Sequence, residues 1–237
     1  MPKSVTYSIL NNLPRIFKFL RGQNLFFEIS YNCSRKSLGN KNASFTINPE
    51  IVSSSDIVYS VGIGTDISFD LELIKAFKPF VFAFDPTPKS IEWLSRQSLP
   101  DKFKAFPIGL ADYTGDAIFY LPQNENFVSA SMTSKQSDLV VHVKVKKLQD
   151  IMAEFGHSEI HILKIDIEGA EYAVIDDIIQ SEIKIHQLLI EFHHRFPQNE
   201  IEMTRNAVRK LRKAGYDLFY VSPLAEEFSF INRKFYP

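Results

Sequence analysis

Apolar and polar residues follow two different patterns along this chain, and the pattern changes near residue 56. In residues 8–21 the apolar positions recur at helical spacing with basic residues on the other side, which predicts an amphipathic helix. Residues 22–55 are rich in Asn and Ser around one apolar stretch, residues 25–29, and are expected to form a strand and loops. We therefore predict an N-terminal extension over residues 1–55, acting as a lid or docking segment, and a separate domain over residues 56–237.

Beyond residue 56, apolar strand-like runs alternate with helical segments, which is typical of a parallel sheet with helices on both faces. The last two runs are separated by only a few residues, too few for a crossover helix, so this pair must be antiparallel. We therefore predict an α/β fold, Rossmann-like, with a seven-stranded and mostly parallel sheet whose final strand is antiparallel. The seven runs are residues 57–61, 81–84, 105–108, 160–165, 188–192, 218–221 and 228–231. Two further alternating runs, near 118–121 and 140–145, predict a hairpin or insertion.

Composition narrows the class of protein. With 237 residues, 45% of them apolar, the chain can bury one sizeable core. A net charge of -1 gives no global positive field, so a nucleic-acid partner is not expected. The single Cys33 and the absence of a secretory pattern favour a cytoplasmic protein.

Membrane and subunit contacts are less constrained by the sequence. No apolar run approaches the ~20 residues of a membrane span. The helix of residues 8–21 is expected to pack on the core, with peripheral membrane contact or partner docking as the alternative. The oligomeric state stays open, a homo-oligomer included.

A glycine-containing loop follows the first strand of the predicted sheet. The segment from Ser60 through Gly62, Gly64 and Thr65 to Asp66 lets the backbone approach a ligand, because glycine has no Cβ. A dinucleotide fingerprint would need a small residue at position 67, where Ile67 stands, so nicotinamide or flavin binding is the weaker alternative. The loop suits a nucleoside cofactor.

An acidic residue ends the second strand, roughly twenty residues past the glycines. Asp85 can accept hydrogen bonds from both hydroxyls of a ribose, and Pro86 ends the strand there. After the third strand, Gly109 and Leu110 are expected to contact an adenine ring. These positions extend the predicted cofactor site.

Carboxylates and histidines follow the next two strands. Asp166 and Glu168 can position an ammonium group, orient an acceptor hydroxyl or help to ligate a divalent ion, whereas Glu171 suits a helix cap. In the run from Glu191 to His194, strand alternation places Glu191 and His193 on one face, so His193 is the preferred general base and His194 the second candidate. A metal site built from these groups is conceivable but not favoured, because their spacing matches no sharp ligand motif.

The string ILKIDIEGAE, residues 162–171, resembles the most characteristic motif of the FkbM-type methyltransferases. The segments VYSVGIGTD, FAFDP and LLIEFHH fall where that family has its glycine loop, ribose-binding acid and following strand. The resemblance implies a class I methyltransferase fold with S-adenosylmethionine as methyl donor. It also implies O-methylation of a hydroxyl on a sugar, glycan or glycosylated natural product. With this donor, the ammonium group that Asp166 and Glu168 are expected to position is that of its methionine part. The alternative is a non-catalytic domain of this fold that serves as a scaffold in a glycan-assembly complex.

Overall fold

The computed structural model describes residues 27–41, 43–120, 139–195 and 201–236. The strands in these ranges are β1 (Lys36–Leu38), β2 (Phe45–Ile47), β3 (Ile57–Val61), β4 (Phe80–Phe84), β5 (Phe103–Phe106), β6 (Gly109–Leu110), β7 (Gly115–Tyr120), β8 (Val140–Lys146), β9 (Ile160–Ile165), β10 (Ile185–Glu191), β11 (Tyr216–Val221) and β12 (Glu227–Asn232). The α-helices are α1 (Ser68–Phe77), α2 (Pro88–Leu94), α3 (Leu148–Phe155), α4 (Glu171–Gln180) and α5 (Ile201–Lys213).

The main sheet has seven strands in the order β11-β12-β10-β9-β3-β4-β5. All adjacent pairs are parallel except those of β12, which runs antiparallel to both β10 and β11. The predicted fold class, with its antiparallel final strand, is therefore confirmed. From β3 the sheet continues through β4 to β5 at one edge, and from β9 it continues through β10 towards the other edge. The strand order therefore reverses between the neighbours β3 and β9. The carboxyl ends of β3 and β9 are thus the place where an α/β sheet of this kind binds its ligands.

Helices cover both faces of this sheet, as predicted, and strand alternation divides the core into two clusters. On one face, α3, α4 and α5 pack against strand residues that include Leu163 and Ile165. On the other, α1 and α2 pack against residues that include Val58 and Ile162. Each strand of the sheet centre is apolar on both sides, which is why the central runs in the sequence are nearly continuous.

The predicted hairpin between the third and fourth strands forms a separate small sheet. Strands β7 and β8 pair antiparallel over their whole length, and β6 pairs parallel with the end of β8. This small sheet places Leu110 in the main core, since β6 follows β5 directly.

The described part of the N-terminal extension differs from the prediction. Residues 27–29 are not in a strand; instead β1 and β2 form a two-stranded ribbon that lies on the main sheet. Phe45 and Ile47 are buried in the core beside α1, and the Ser229 hydroxyl of β12 donates to the Thr46 carbonyl at 2.7 Å. This part of the segment is therefore packed against the sheet, and the boundary at residues 55 and 56 stays a prediction.

The amphipathic helix predicted for residues 8–21 lies outside the described residues. Among the helices that the structure does describe, none has the length and apolarity needed to cross a membrane.

Candidate functional site

The glycine loop between β3 and α1 lies at the switch point, but one of its glycines serves the protein itself. Gly62 has a φ of +72°, and a Cβ built there would lie 1.6 Å from the carbonyl oxygen of Asp166. The end of β9 therefore requires glycine at this position whether or not a ligand is present. Gly64, with a φ of +51°, is the second left-handed position of the loop. The fold alone thus explains glycine at position 62, and the approach of a ligand to this loop stays a prediction.

Asp85 at the end of β4 holds this loop. One carboxylate oxygen accepts a hydrogen bond from the Gly64 N–H at 2.9 Å. The other accepts from the backbone N–H of Thr87 at 2.9 Å and from its hydroxyl at 2.6 Å. The sequence predicted that Asp85 lies near the glycines, and the structure brings the two together. The ribose contact itself stays a prediction.

Several other predicted cofactor residues are placed less favourably. Ser60 is fully buried within β3 and Leu110 is in the core, so their side chains have almost no surface for a ligand. A Cβ on Gly109 would lie 3.1 Å from the Pro86 ring, so glycine there allows two segments of the protein to meet. The assignment of Ser60 and Leu110 to the cofactor site therefore stays a prediction, one that their backbone groups would have to meet.

The remaining two loop residues have clearer surroundings. Thr65 is partly exposed next to Gly64 and is available to a ligand. Asp66 accepts hydrogen bonds from the Ser68 N–H at 2.8 Å and the Asn40 amide at 3.0 Å. Burial would raise the pKa of Asp66, but these hydrogen bonds outweigh it and lower the pKa. Asp66 thus helps to start α1.

At the carboxyl ends of β9 and β10, His193 lies among four carboxylates. Its Nε2 atom is 3.3 Å from Glu168, 3.6 Å from Asp166 and 3.9 Å from Glu191. Its Nδ1 atom is 3.5 Å from Glu171. The sequence placed these residues at neighbouring strand ends, and the structure brings them into one cluster. We call His193, Asp166, Glu168, Glu171 and Glu191 the acid–histidine cluster.

Glu171 has a larger role in this cluster than a helix cap. Its side chain is fully buried, and one oxygen accepts from the Gly169 N–H at 2.8 Å. The other accepts from the backbone N–H of His193 at 2.8 Å, so the same oxygen faces both the main chain and the ring of that histidine. A buried carboxylate that orients an imidazole is the arrangement found behind catalytic histidines. This role could not be predicted from the sequence, because a Glu in the first turn is common in helices.

Backbone strain marks the same turn. Glu168 has a φ of +51°, a left-handed conformation that a residue with a Cβ adopts at a cost of about 1–2 kcal/mol. The following Gly169 also has a positive φ, of +102°. The turn from β9 to α4 thus directs the Glu168 carboxylate back onto His193.

In the cluster, His193 and Glu191 keep their protons at a pH where the isolated side chains would have lost them. Burial alone would lower the pKa of His193, but the hydrogen bond and charge of Glu171, with Asp166 and Glu168, raise it to about 10. Burial, and then the charge of Asp166, raise the pKa of Glu191 to about 8. Burial also raises the pKa of Asp166, against the opposing charges of Lys164 and His193. At neutral pH His193 is therefore cationic, and Glu191 is still largely protonated.

His194, the second predicted base, is in a different environment. It is buried, and among the described residues its Nδ1 atom has no hydrogen-bond partner. Burial, followed by the nearby charges of Arg195 and His193, lowers its pKa to about 4. A neutral, enclosed imidazole of this kind suits packing better than proton transfer, so His193 is the better placed of the pair.

Two groups of residues have ligand atoms close enough to hold a metal ion, among the residues that the structure describes. They are Asp166, Glu191 and His193 in the cluster, and Glu159, His161 and His186 at the amino ends of β9 and β10. In the first group the imidazolium of His193 already neutralises part of the negative charge that a metal ion would need. In the second, His161 Nδ1 accepts a hydrogen bond from the Ile57 N–H at 3.1 Å, which leaves the proton of a neutral ring on the nitrogen that faces Glu159. Neither arrangement favours a metal.

Sequence reasoning missed the buried charges beneath the glycine loop. Lys164 of β9 is 5% exposed and Asp70 of α1 is 1% exposed. In the sequence Lys164 is one residue of an otherwise apolar strand, and Asp70 is one acid in the first turn of a helix. The signal that could have found Lys164 is its position in the strand that leads into Asp166.

Comparison with known proteins agrees with this geometry. The Methyltransferase FkbM domain matches residues 56–218, which is more than half of the chain. The human probable methyltransferase-like protein 24 is 36% identical over 89 residues, covering 33% of this chain and 24% of that protein. The rat protein of the same name is 32% identical over 85 residues, covering 32% of this chain and 23% of that protein. The matched segment thus spans about a quarter of the length of these curated relatives.

Two solved structures overlap most of the chain at low similarity. The fibrillarin pre-rRNA processing protein of Methanococcus jannaschii has a TM-score of 0.46 and 10% identity, covering 84% of this chain and 82% of its own. Fibrillarin of Aeropyrum pernix, in complex with natively bound S-adenosyl-L-methionine, has a TM-score of 0.43 and 7% identity, covering 86% and 83%. Likenesses this low do not bear on function.

The resemblance seen in the sequence is therefore confirmed by a match that includes the glycine loop, Asp85 and the acid–histidine cluster. The chain belongs to the FkbM methyltransferase family.

Proposed function

We propose that this protein is an S-adenosylmethionine-dependent O-methyltransferase that acts on a hydroxyl of a sugar, glycan or glycosylated natural product. The observation that carries the proposal is the acid–histidine cluster, which lies at the switch point of the sheet directly beside the glycine loop. A methyl-transfer site needs a place for the donor, a place for the acceptor and a group that takes the acceptor's proton.

The residues present fit the donor. S-adenosylmethionine, when bound, supplies a methyl group on a sulfonium sulfur. Gly64, Thr65 and Asp85 lie together at the crevice, where backbone groups and a carboxylate can bind a nucleoside. The excess of carboxylates in the cluster suits a ligand that carries positive charge. Asp166 and Glu168 are the acids that we assign to the donor's amino-acid end.

The chemistry of the cluster also supports a hydroxyl acceptor. Asp166, Glu168 and Glu191 each expose between 19% and 28% of their side chains. Carboxylate oxygens accept hydrogen bonds, and a sugar offers several hydroxyl donors within a short distance. A polyhydroxylated acceptor therefore matches this lining better than an apolar one.

We assign removal of the proton from the reacting hydroxyl to the acid–histidine cluster. Because His193 keeps its proton up to a pKa of about 10, the predicted role of general base moves to Glu191, whose pKa is about 8. Glu191 is mostly protonated at neutral pH, so we expect transfer to increase as the pH rises towards 8. His193, 3.9 Å away, then orients Glu191 and stabilises the carboxylates around it. If the His193 ring loses its proton before the acceptor binds, His193 is the base instead. His194 is left outside the reaction.

Labelled methyl transfer tests this proposal. The full chain is incubated with radiolabelled S-adenosylmethionine and a panel of mono- and oligosaccharides, with and without a chelator. Glu191→Gln should lower transfer about 10²-fold while binding of S-adenosylhomocysteine persists. Glu226→Gln is the control, because that carboxylate pairs with Arg195 at 2.8 Å outside the cluster.

Each outcome has a defined meaning. Methyl transfer that persists with the chelator present supports a metal-independent site. Loss of methyl transfer on chelation would mean that a metal ion, rather than His193, stabilises the carboxylates of the cluster. A chain that binds the donor but transfers to no hydroxyl would favour the scaffold alternative in a glycan-assembly complex. Cytoplasmic location, which the single Cys33 fits, remains part of the proposal.

A further inference from the structure

Lys164 is a buried cation placed directly under the candidate donor site. Its Nζ atom donates a hydrogen bond to the carbonyl oxygen of Gly62 at 3.0 Å. The same ammonium group lies 4.8 Å from the centre of the Phe45 ring, which closes the site from the side of β2. A lysine so enclosed needs compensating negative charge and hydrogen bonds.

Negative groups surround Lys164 from several elements. Asp70 on α1 is almost fully buried, and its pKa rises to about 6 because burial outweighs the opposing charge of Lys164. The charge of Lys164 also acts on Asp66 in the loop and on Asp166 and Glu191 in the cluster, favouring their ionised forms. The electrostatic field of Lys164 thus reaches both the glycine loop and the acid–histidine cluster.

The charge of Asp70 alone would not explain this placement. The hydrogen bond of Lys164 goes to Gly62, the residue whose missing Cβ allows the loop to touch the carbonyl of Asp166. Asp166 in turn lies two residues beyond Lys164 in the chain, with its backbone N–H bonded to the Val61 carbonyl at 3.1 Å. Lys164 therefore joins the two backbone segments that form the floor of the site.

We infer that Lys164 is a positioning residue that fixes Gly62 and sets the preference of the site between the cationic methyl donor and its uncharged thioether product. This inference rests on the proposed function. The two ligands differ by one methyl group and one positive charge on sulfur. A fixed cation below the site disfavours the sulfonium form relative to the thioether, so it opposes tight binding of the donor and favours the loss of charge that accompanies transfer.

The test is calorimetric titration of the full chain with S-adenosylmethionine and with S-adenosylhomocysteine. Lys164→Met should lower the ratio of the donor's Kd to the product's Kd by about 3- to 10-fold, since removal of a nearby cation relieves repulsion of the sulfonium charge, which the donor carries and the product lacks. Lys164→Arg should restore the ratio of the wild type. Lys102→Met is the matched control, because Lys102 also donates to a backbone carbonyl, that of Ser54 at 3.0 Å, and lies over an aromatic ring, but at the amino edge of the sheet.

The outcomes separate this inference from the proposed function. If the wild type binds neither ligand, the proposed function fails. If the wild type binds both and Lys164→Met weakens both equally, or neither, Lys164 is only a brace and the inference is overturned. Should Lys164→Met fail to fold, the double variant Lys164→Met with Asp70→Asn removes both buried charges, and an unchanged ratio in that variant overturns the inference equally.

Discussion

Replacing Glu171 by Gln tests the electrostatic account of the cluster in its most buried residue. The substitution keeps the shape of the side chain but removes its charge and one of its two acceptor oxygens. In the wild type, Glu171 accepts hydrogen bonds from the backbone N–H groups of Gly169 and His193, each at 2.8 Å. A glutamine amide can accept from only one of them. The other N–H group is left without an acceptor, which costs about 1–3 kcal/mol of unfolding free energy.

The same substitution changes the pH dependence of stability. Because the pKa of His193 is raised from 6.5 to about 10 in the folded protein, its proton stabilises the fold fully below the unfolded pKa. That stabilisation is lost as the pH rises towards the folded pKa, and it amounts to at most about 5 kcal/mol. Glu171 provides the hydrogen bond and the first of the charges that raise this pKa. Glu171→Gln should therefore lower the pKa of His193 by about 1–2 units and flatten the alkaline loss of stability.

Imidazole nitrogen NMR and urea unfolding between about pH 6 and pH 10 measure both effects. The control is Asp56→Asn, which removes a carboxylate 3.8 Å from His161 at the opposite edge of the sheet. It should leave the titration of His193 unchanged. The reasoning is refuted if His193 of the wild type titrates near its ordinary value, or if Glu171→Gln leaves its pKa in place.

Three further predictions follow from single contacts. Gly62→Ala should prevent folding or destabilise severely, because its Cβ would lie 1.6 Å from the Asp166 carbonyl oxygen; Gly156→Ala, with a similar φ of +69° and open space around it, should cost only about 1–2 kcal/mol in urea unfolding. Asp85→Ala should weaken S-adenosylhomocysteine binding by at least about tenfold in calorimetry, and equal affinity would remove the ribose assignment. The depressed pKa of His194, about 4, means that stability is lost as the pH falls from about 6.5 towards 4; His194→Gln should reduce that acid loss in urea titrations, and an identical profile would contradict its burial as the cause.

The sequence predicted the sheet well because its strands are buried on both faces. A strand such as β4 has apolar residues at every position, and this signal survives without knowledge of its neighbours. The antiparallel end followed from the short connection between β11 and β12 alone. The β1–β2 ribbon was missed, because two three-residue strands in a polar segment carry almost no periodic signal.

The site was predictable where chemistry depends on strand ends and less so where it depends on burial. Asp85 and the cluster residues Asp166, Glu191 and His193 lie at or just beyond the carboxyl ends of β4, β9 and β10, so their proximity could be argued from topology. The roles of Glu171 and Lys164 could not be predicted in this way. A first-turn acid and a single lysine in a strand look the same in sequence whether the side chain is exposed or buried. The protonation of His193 likewise depends on distances of 3–4 Å that no sequence spacing fixes.

The central claim is that the donor binds at the carboxyl edge, between the glycine loop and the acid–histidine cluster. Backbone amide NMR of the labelled full chain, titrated with S-adenosylhomocysteine, tests it most directly. We predict saturable shifts at Gly64, Asp85 and Gly169, with no change at His161 and His186 on the amino edge. Shifts confined to the amino edge, or no shifts at a large excess of ligand, would contradict the account.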